Sequence, residues 1–198
     1  LNTSKHLFFV RHAPTESNLS GVWRCGKEDP ILSDSTDRVT RAALLVSDFR
    51  CTVILSSEML RAVQTAAMIS EASGIKVKGT MAEFNERACG AIDGLTYDGI
   101  YEKFGFHMDT ILTEKLDSVP GAETLSEFRS RVLLGIEKVL TCSDQNICIV
   151  THGGVMALLI RLFGNRTERM RFPNCSVLPV DYDNSSGEST FTVRPLIV

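Results

Sequence analysis

Short apolar runs of strand length, separated by stretches of helical periodicity, constrain this chain more than any other feature. The runs fall at Leu7 to Val10, Cys51 to Leu55, Ile147 to Val150 and Val177 to Val180, with weaker ones at Ile75 to Lys78 and Phe191 to Val193. Continuous runs of β-branched and aromatic residues suit strands covered on both faces. Between them, Val39, Ala42, Ala43, Val46 and Phe49 share one helical face, as do Leu60, Val63, Ala66 and Ala67, and Leu125, Phe128, Val132, Ile136 and Val139. Strands alternating with amphipathic helices imply an α/β fold, a three-layer α/β/α sandwich around a mostly parallel sheet. The tail "NCSVLPVDYDNSSGESTFTVRPL" holds two strand-like pieces around a Gly, Ser and Asn-rich turn, an edge hairpin that could support a homodimer. Residues 95 to 123 break the alternation and read as a helical insertion over the ligand-binding edge of the sheet. With 198 residues, 43% of them hydrophobic, the chain can bury a substantial core, and 1 to 198 reads as one domain.

The formal net charge of −3 lacks the broad positive field that nucleic-acid or anionic-membrane binding needs, so any cationic site is local. No apolar run approaches the roughly 20 residues of a membrane-spanning helix, and Leu1 to Val10 lacks a signal-peptide profile. A cytoplasmic protein is expected, with secretion left open because the chain begins at Leu1. Cys25, Cys51, Cys89, Cys142, Cys148 and Cys175 form no CxxC pair and have no histidines at zinc spacing. They read as free thiols, and no metal or cofactor is expected.

In open parallel sheets, ligands sit beyond the carboxyl ends of the strands. Arg11 and His12 in "LFFVRHAPTESN" and His152 in "ICIVTHGG" fall at such ends. Arg61 lies about a turn into the helix after "TVILSS", and helical side chains tilt back toward the N-terminus. Two guanidiniums and two imidazoles at one rim suit a doubly charged oxyanion. Gly153 and Gly154 open a helix whose free amides favour the same ligand. A neutral imidazole facing a phosphate can attack phosphorus, and the leaving alkoxide then needs a proton. "EFNERACGAIDG" supplies Glu83 and Glu86 as candidate acids, since a carboxyl beside a bound dianion has its pKa raised.

The sequence resembles the histidine phosphatase superfamily, also called phosphoglycerate mutase-like. "RHAPTESN" is similar to that family's R-H-G-x-T-x-x-N, "GKEDPILS" to G-x-x-D-x-x-L, and "SSEMLRAVQTA" to S-x-x-x-R-A-x-x-T-A. "NERACGAIDG", "PGAETLSEFRSRV" and "VTHGG" follow in the family's order. The resemblance implies that His12 is the phosphorylated nucleophile, that Arg11, Arg61 and His152 bind phosphate, and that Glu86 is the acid, leaving Glu83 structural. It further implies that Asn18 helps bind phosphate and that Thr15 and Glu123 shape the pocket wall. Ala13 stands where the family has a glycine, a mild change if the backbone avoids positive φ. Thr36 stands where it has a turn glycine.

True mutases resemble "NERHYG" followed by a lysine, whereas this chain has Cys89 and Tyr97 there, together with the phosphatase-like "PGAET". A metal-independent phosphatase acting on a small-molecule phosphate monoester is therefore expected. A mutase is the alternative, and a non-catalytic module that holds a phosphorylated ligand is the third reading. Trp23, Arg24, Lys27 and Glu28 could line the pocket mouth, with Arg24 and Lys27 meeting a second anionic group. Phe104, Phe106, His107 and Met108 could do likewise, or could form a small core of their own.

Overall fold

The computed structural model describes residues 4–26, 28–108, 111–164 and 170–198, so Lys27 lies outside the described residues. Six strands run in the order β1 (Lys5–Arg11), β2 (Val53–Ser56), β3 (Val77–Thr80), β4 (Asn146–Thr151), β5 (Val177–Asp183) and β6 (Thr190–Val193). The helices are α1 (Glu16–Ser20), α2 (Thr36–Asp48), α3 (Leu60–Ser73), α4 (Tyr97–Phe104), α5 (Leu125–Leu140) and α6 (Gly153–Phe163). In the sheet the strands lie in the order β3-β2-β4-β1-β5-β6. The first four are parallel, and β5 and β6 run antiparallel as a hairpin at the edge.

The continuous apolar runs follow from burial on both faces. Successive strand side chains point to opposite sides. Leu7, Phe9, Leu55, Ile147 and Ile149 accordingly join one core with Phe128, Val132 and Ile136 of α5 and Met156 and Leu159 of α6. Phe8, Val10, Ile54, Cys148 and Val150 join the other, against Val39, Ala42 and Val46 of α2 and Ala62, Ala66 and Ile69 of α3. Truncating a buried phenylalanine such as Phe9 to alanine would cost about 3–5 kcal/mol, from lost transfer energy plus the cavity left behind. The expected sandwich is present, and so are all six expected strands.

Two expectations need correction. The buried face of α3 is Arg61, Ala62, Thr65, Ala66 and Ile69, while Val63 is 37% exposed. Apolarity misplaced that face because two of its buried residues are polar. Thr65 Oγ1 accepts from the Ala13 amide at 2.9 Å and donates to the Arg61 carbonyl at 2.6 Å, which tethers α3 to the end of β1. The second correction concerns the cysteines. Cys25 and Cys89 form a disulfide with Cα atoms 5.8 Å apart, leaving Cys51, Cys142, Cys148 and Cys175 free. Their separation of 64 residues hides the pairing from sequence spacing.

Residues 95 to 123 supply α4, capped by the Thr96 hydroxyl on the Gly99 amide and stopped by Gly105 at φ 71°, and a 3-10 turn at Glu114–Ser118. Phe104 and Phe106 pack against the larger core, Met108 is buried within it, and His107 stacks on Tyr101 with ring centroids 4.3 Å apart. Among the described residues no helix is long and apolar enough to cross a membrane.

Candidate active site

The parallel register assembles the site. Arg11 lies opposite Thr151, so the residues that follow leave β1 and β4 at the same level, and the His12 and His152 rings sit 5.2 Å apart. His12 Nδ1 is 2.7 Å from the Ala13 carbonyl oxygen. A carbonyl only accepts, so Nδ1 carries the hydrogen and Nε2 keeps its lone pair. Burial, with the Arg61 and Arg11 charges nearby, pushes the His12 pKa well below its ordinary value and keeps the ring neutral.

His152 is fully buried behind it, and does not itself line the cavity. Its Nε2 lies 2.7 Å from Ser57 Oγ, which accepts from the Met59 amide at 3.3 Å. Its Nδ1 is buried with no partner among the described residues. Burial first, then the Arg61 charge, also lowers the pKa of this imidazole strongly.

The guanidiniums are oriented by backbone. Arg11 Nη1 donates to the Phe172 carbonyl, and its buried Nε has no partner among the described residues. Arg61, 2% exposed, donates from Nη1 to the Gly26 carbonyl at 2.8 Å. Burial lowers both arginine pKa values and the Glu86 charge opposes it; guanidiniums stay ionised regardless.

Glu86 completes the inner end. Its Oε2 accepts from the Gly154 amide at 2.9 Å and its Oε1 from the Arg87 amide at 3.0 Å. Burial raises its pKa, opposed by those two amides and by the Arg61 and Arg11 charges. The Arg87 side chain takes no part, since it turns away to Asp117 and to the carbonyls of Ile111, Thr113 and Glu123. Gly154 is required at this point: a Cβ there would come 2.1 Å from Glu86 Oε1 and 2.6 Å from Ile111.

These groups open into a cavity of about 630 Å³ whose lining includes Arg11, His12, Asn18, Arg61, Glu86 and Gly153. Asn18 Oδ1 accepts from Asn174 Nδ2 at 3.0 Å and from the Thr15 amide at 3.3 Å, which leaves its NH2 group for a ligand. Trp23, Arg24 and Tyr97 line the outer part, with Arg24 3.5 Å from Asp93. Ala13 is not among the residues with positive φ, so its methyl is accommodated without strain, and Thr36 simply opens α2.

Besides His152, Thr15 and Glu123 lie outside the lining, as do Glu28, Phe104, Phe106, His107 and Met108 from the expected pocket mouth. Thr15 is buried as the N-cap of α1, in a capping box with Asn18. Glu123 is gripped by Arg131, Nε to Oε1 at 2.8 Å and Nη2 to Oε2 at 2.7 Å. Arg131 also donates to the carbonyls of Ala82, Glu83 and Asn85, so this pair braces the chain leading to Glu86. Glu83 binds Lys138 at the surface. Sequence reasoning missed Ser57, Asn174 and Arg171. Ser57 had a signal, the second serine of "SSEMLRA", whereas Arg171 and Asn174 follow α6 in a loop with no periodicity to read.

Among the described residues, the parallel strands end in basic side chains around a cavity with one carboxyl, Glu86, in its lining, an arrangement suited to an anionic ligand at the carboxyl edge of the sheet. The chain matches the histidine phosphatase superfamily (branch 1) over residues 7–192 and belongs to it. It is 31% identical over 162 residues to the uncharacterized phosphatase PhoE of Bacillus subtilis, covering 80% of this chain and 78% of that one. It is 29% identical over 163 residues to a 2,3-bisphosphoglycerate-dependent phosphoglycerate mutase of Afipia carboxidovorans, covering 78% of each. A mycobacterial glucosyl-3-phosphoglycerate phosphatase solved with VO3 shares the fold at a TM-score of 0.80 and 19% identity, over 96% of this chain and 98% of that one. Family and phosphatase-named relatives together support hydrolase activity.

Proposed function

We propose that this protein hydrolyses a small-molecule phosphate monoester through a phosphohistidine on His12, with Glu86 as general acid. The observation that carries the reading is the His12 tautomer: Nδ1 is committed to the Ala13 carbonyl, so Nε2 presents a lone pair in a cavity that also holds Arg11, Arg61 and Glu86. The phosphoryl dianion is bound by Arg11 and Arg61, the Asn18 side-chain amide and the Gly153 amide at the start of α6, with the buried imidazole of His152 behind. Nε2 attacks phosphorus as the P–O bond to the leaving group breaks, and protonated Glu86 gives that oxygen its hydrogen. The carboxylate so formed takes a proton from water, whose oxygen attacks phosphorus; the P–N bond breaks and phosphate leaves. The positive charge comes from side chains and amides, so no metal is needed.

Relatives carry both phosphatase and mutase names, so the choice rests on this chain's own residues. The position expected to hold a mutase's tyrosine is Cys89, which is tied up in the disulfide and offers no hydroxyl. Incubation with phenyl phosphate and a chelator should release inorganic phosphate. Acid quenching should trap labelled phosphate on the wild type, and His12→Ala should lose the label and about 10³-fold or more in turnover. Phosphate that only migrates between hydroxyls of a retained sugar acid would establish the mutase, and unaltered ester bound without turnover would establish a binding module.

A further inference from the structure

We infer that the Cys25–Cys89 disulfide is a positioning link that fixes the loop holding the Arg61 guanidinium to the loop carrying Glu86, so that its reduction slows turnover. The inference rests on the proposed phosphatase reading.

The two cysteines come from different segments, joined otherwise by the Val22–Thr96 bridge: Cys25 lies between α1 and α2, Cys89 between β3 and α4. Both are buried, and Cys25 also lines the cavity. The residue after Cys25 is Gly26, whose carbonyl receives Arg61 Nη1. Cys89 lies three residues after Glu86, and its neighbour Ala88 pairs by its carbonyl with the Glu123 amide at 2.9 Å. One covalent bond thus couples the seat of a phosphate-binding guanidinium to the chain that delivers the acid.

Other ties join the same two segments farther from Glu86. Asp93 Oδ1 accepts from the amides of Cys25 at 2.7 Å and Gly26 at 3.2 Å. The Gly94 amide donates to the Trp23 carbonyl at 2.7 Å, and the Trp23 amide to Leu95 at 2.9 Å. These bonds survive reduction, so the loops stay associated and the fold persists. What loosens is the register at the Glu86 end, where sub-ångström placement governs proton transfer.

A small dithiol reaches Cys25 through the cavity; its thiolate attacks one sulfur, the S–S bond breaks, and its second thiol resolves the mixed disulfide. The reductant becomes the disulfide, and Cys25 and Cys89 gain two electrons and two protons. Burial pushes the Cys51 thiol up to about 12 and the Cys175 thiol up to about 11, and holds Cys148 well above its ordinary value. Those three are protonated at neutral pH and poor partners in exchange.

The test compares oxidised, dithiothreitol-reduced and diamide-reoxidised protein, with Cys25→Ser/Cys89→Ser as the permanently open form. Alkylation and mass spectrometry should label Cys25 and Cys89 only after reduction. Reduction should lower kcat about five- to tenfold with a smaller change in KM, reoxidation should restore it, and the double variant should match the reduced enzyme and ignore dithiothreitol. A melting temperature that falls while kcat stays within about twofold would overturn the inference, as would labelling of both cysteines without reductant. If the oxidised protein turns over no ester, the phosphatase reading fails. The link is then read from calorimetric binding of inorganic phosphate: weaker binding after reduction upholds it, unchanged binding refutes it.

Discussion

The inner and outer parts of the cavity are built in different ways. At the inner end His12 is 4% exposed, Arg61 2% and His152 0%, and each is fixed by a strand end, a helix start or a backbone carbonyl. At the outer part Arg24 and Arg171 are exposed on loops, and Tyr97, at the first position of α4, is 48% exposed. The difference separates chemistry from selectivity. On the proposed reading the inner groups, buried and held by backbone, act on whatever phosphoryl group enters, whereas the outer side chains can vary without disturbing the sheet and so choose what the phosphate is attached to.

If that division holds, Glu86→Gln has a larger effect than any substitution at the outer part. It should lower turnover of an alkyl phosphate by about 10²- to 10⁴-fold. It should cost far less with 4-nitrophenyl phosphate, whose leaving group departs without a proton. The pH profile carries the sign. The Glu86 pKa is raised, so its acid form persists above the usual carboxyl range, and the wild-type rate on an alkyl ester falls as pH rises through that raised value. Bound dianion cancels the Arg11 and Arg61 charges that oppose the shift and moves the limb further up. His12, lowered below 6.5, stays neutral through that range, so its limb lies on the acid side. An alkyl-phosphate profile for Glu86→Gln that keeps the alkaline limb would remove Glu86 from the chemistry.

A smaller effect is expected of Gly154→Ala, which sets a methyl against the acid. The Glu86 carboxyl and the Ile111 methyl met by the new Cβ both belong to side chains that can shift, so the protein should fold with native circular dichroism and lose about 10- to 100-fold in kcat. Retained activity would mean that the inner end tolerates rearrangement and that the contrast with the outer part is weaker than drawn. Arg24→Gln and Arg171→Gln should do least. Each should raise KM about two- to fivefold for monoesters bearing a second anionic group, as suits exposed ion pairs, and leave phenyl phosphate unchanged. A large drop in kcat for either would place it in the chemistry and break the division.

The legibility of the sequence follows the same line. Strand ends are announced by apolar runs that stop, and Arg11, His12 and His152 could be placed at one edge from that alone. Arg61 needed only the tilt of helical side chains. Glu86 lies in a loop, where no periodicity selects one carboxyl over another, and only the motif resemblance separated it from Glu83. Glu123 was placed in the pocket by motif position, yet Arg131 turns it into a brace behind the acid. The disulfide, Asn174 and Arg171 depend on loop paths that spacing along the chain does not encode.

The reversal of β5 has a consequence for how the protein could be cut or rearranged. Because β5 enters the sheet where β1 leaves it, the segment before it arrives at the rim carrying the Phe172 carbonyl that receives Arg11 and the Asn174 amide that donates to the His12 carbonyl. The final quarter of the polypeptide therefore clasps residues from the opening one. A fragment ending after α6 would retain every proposed reacting group and still lose the grip that aims them.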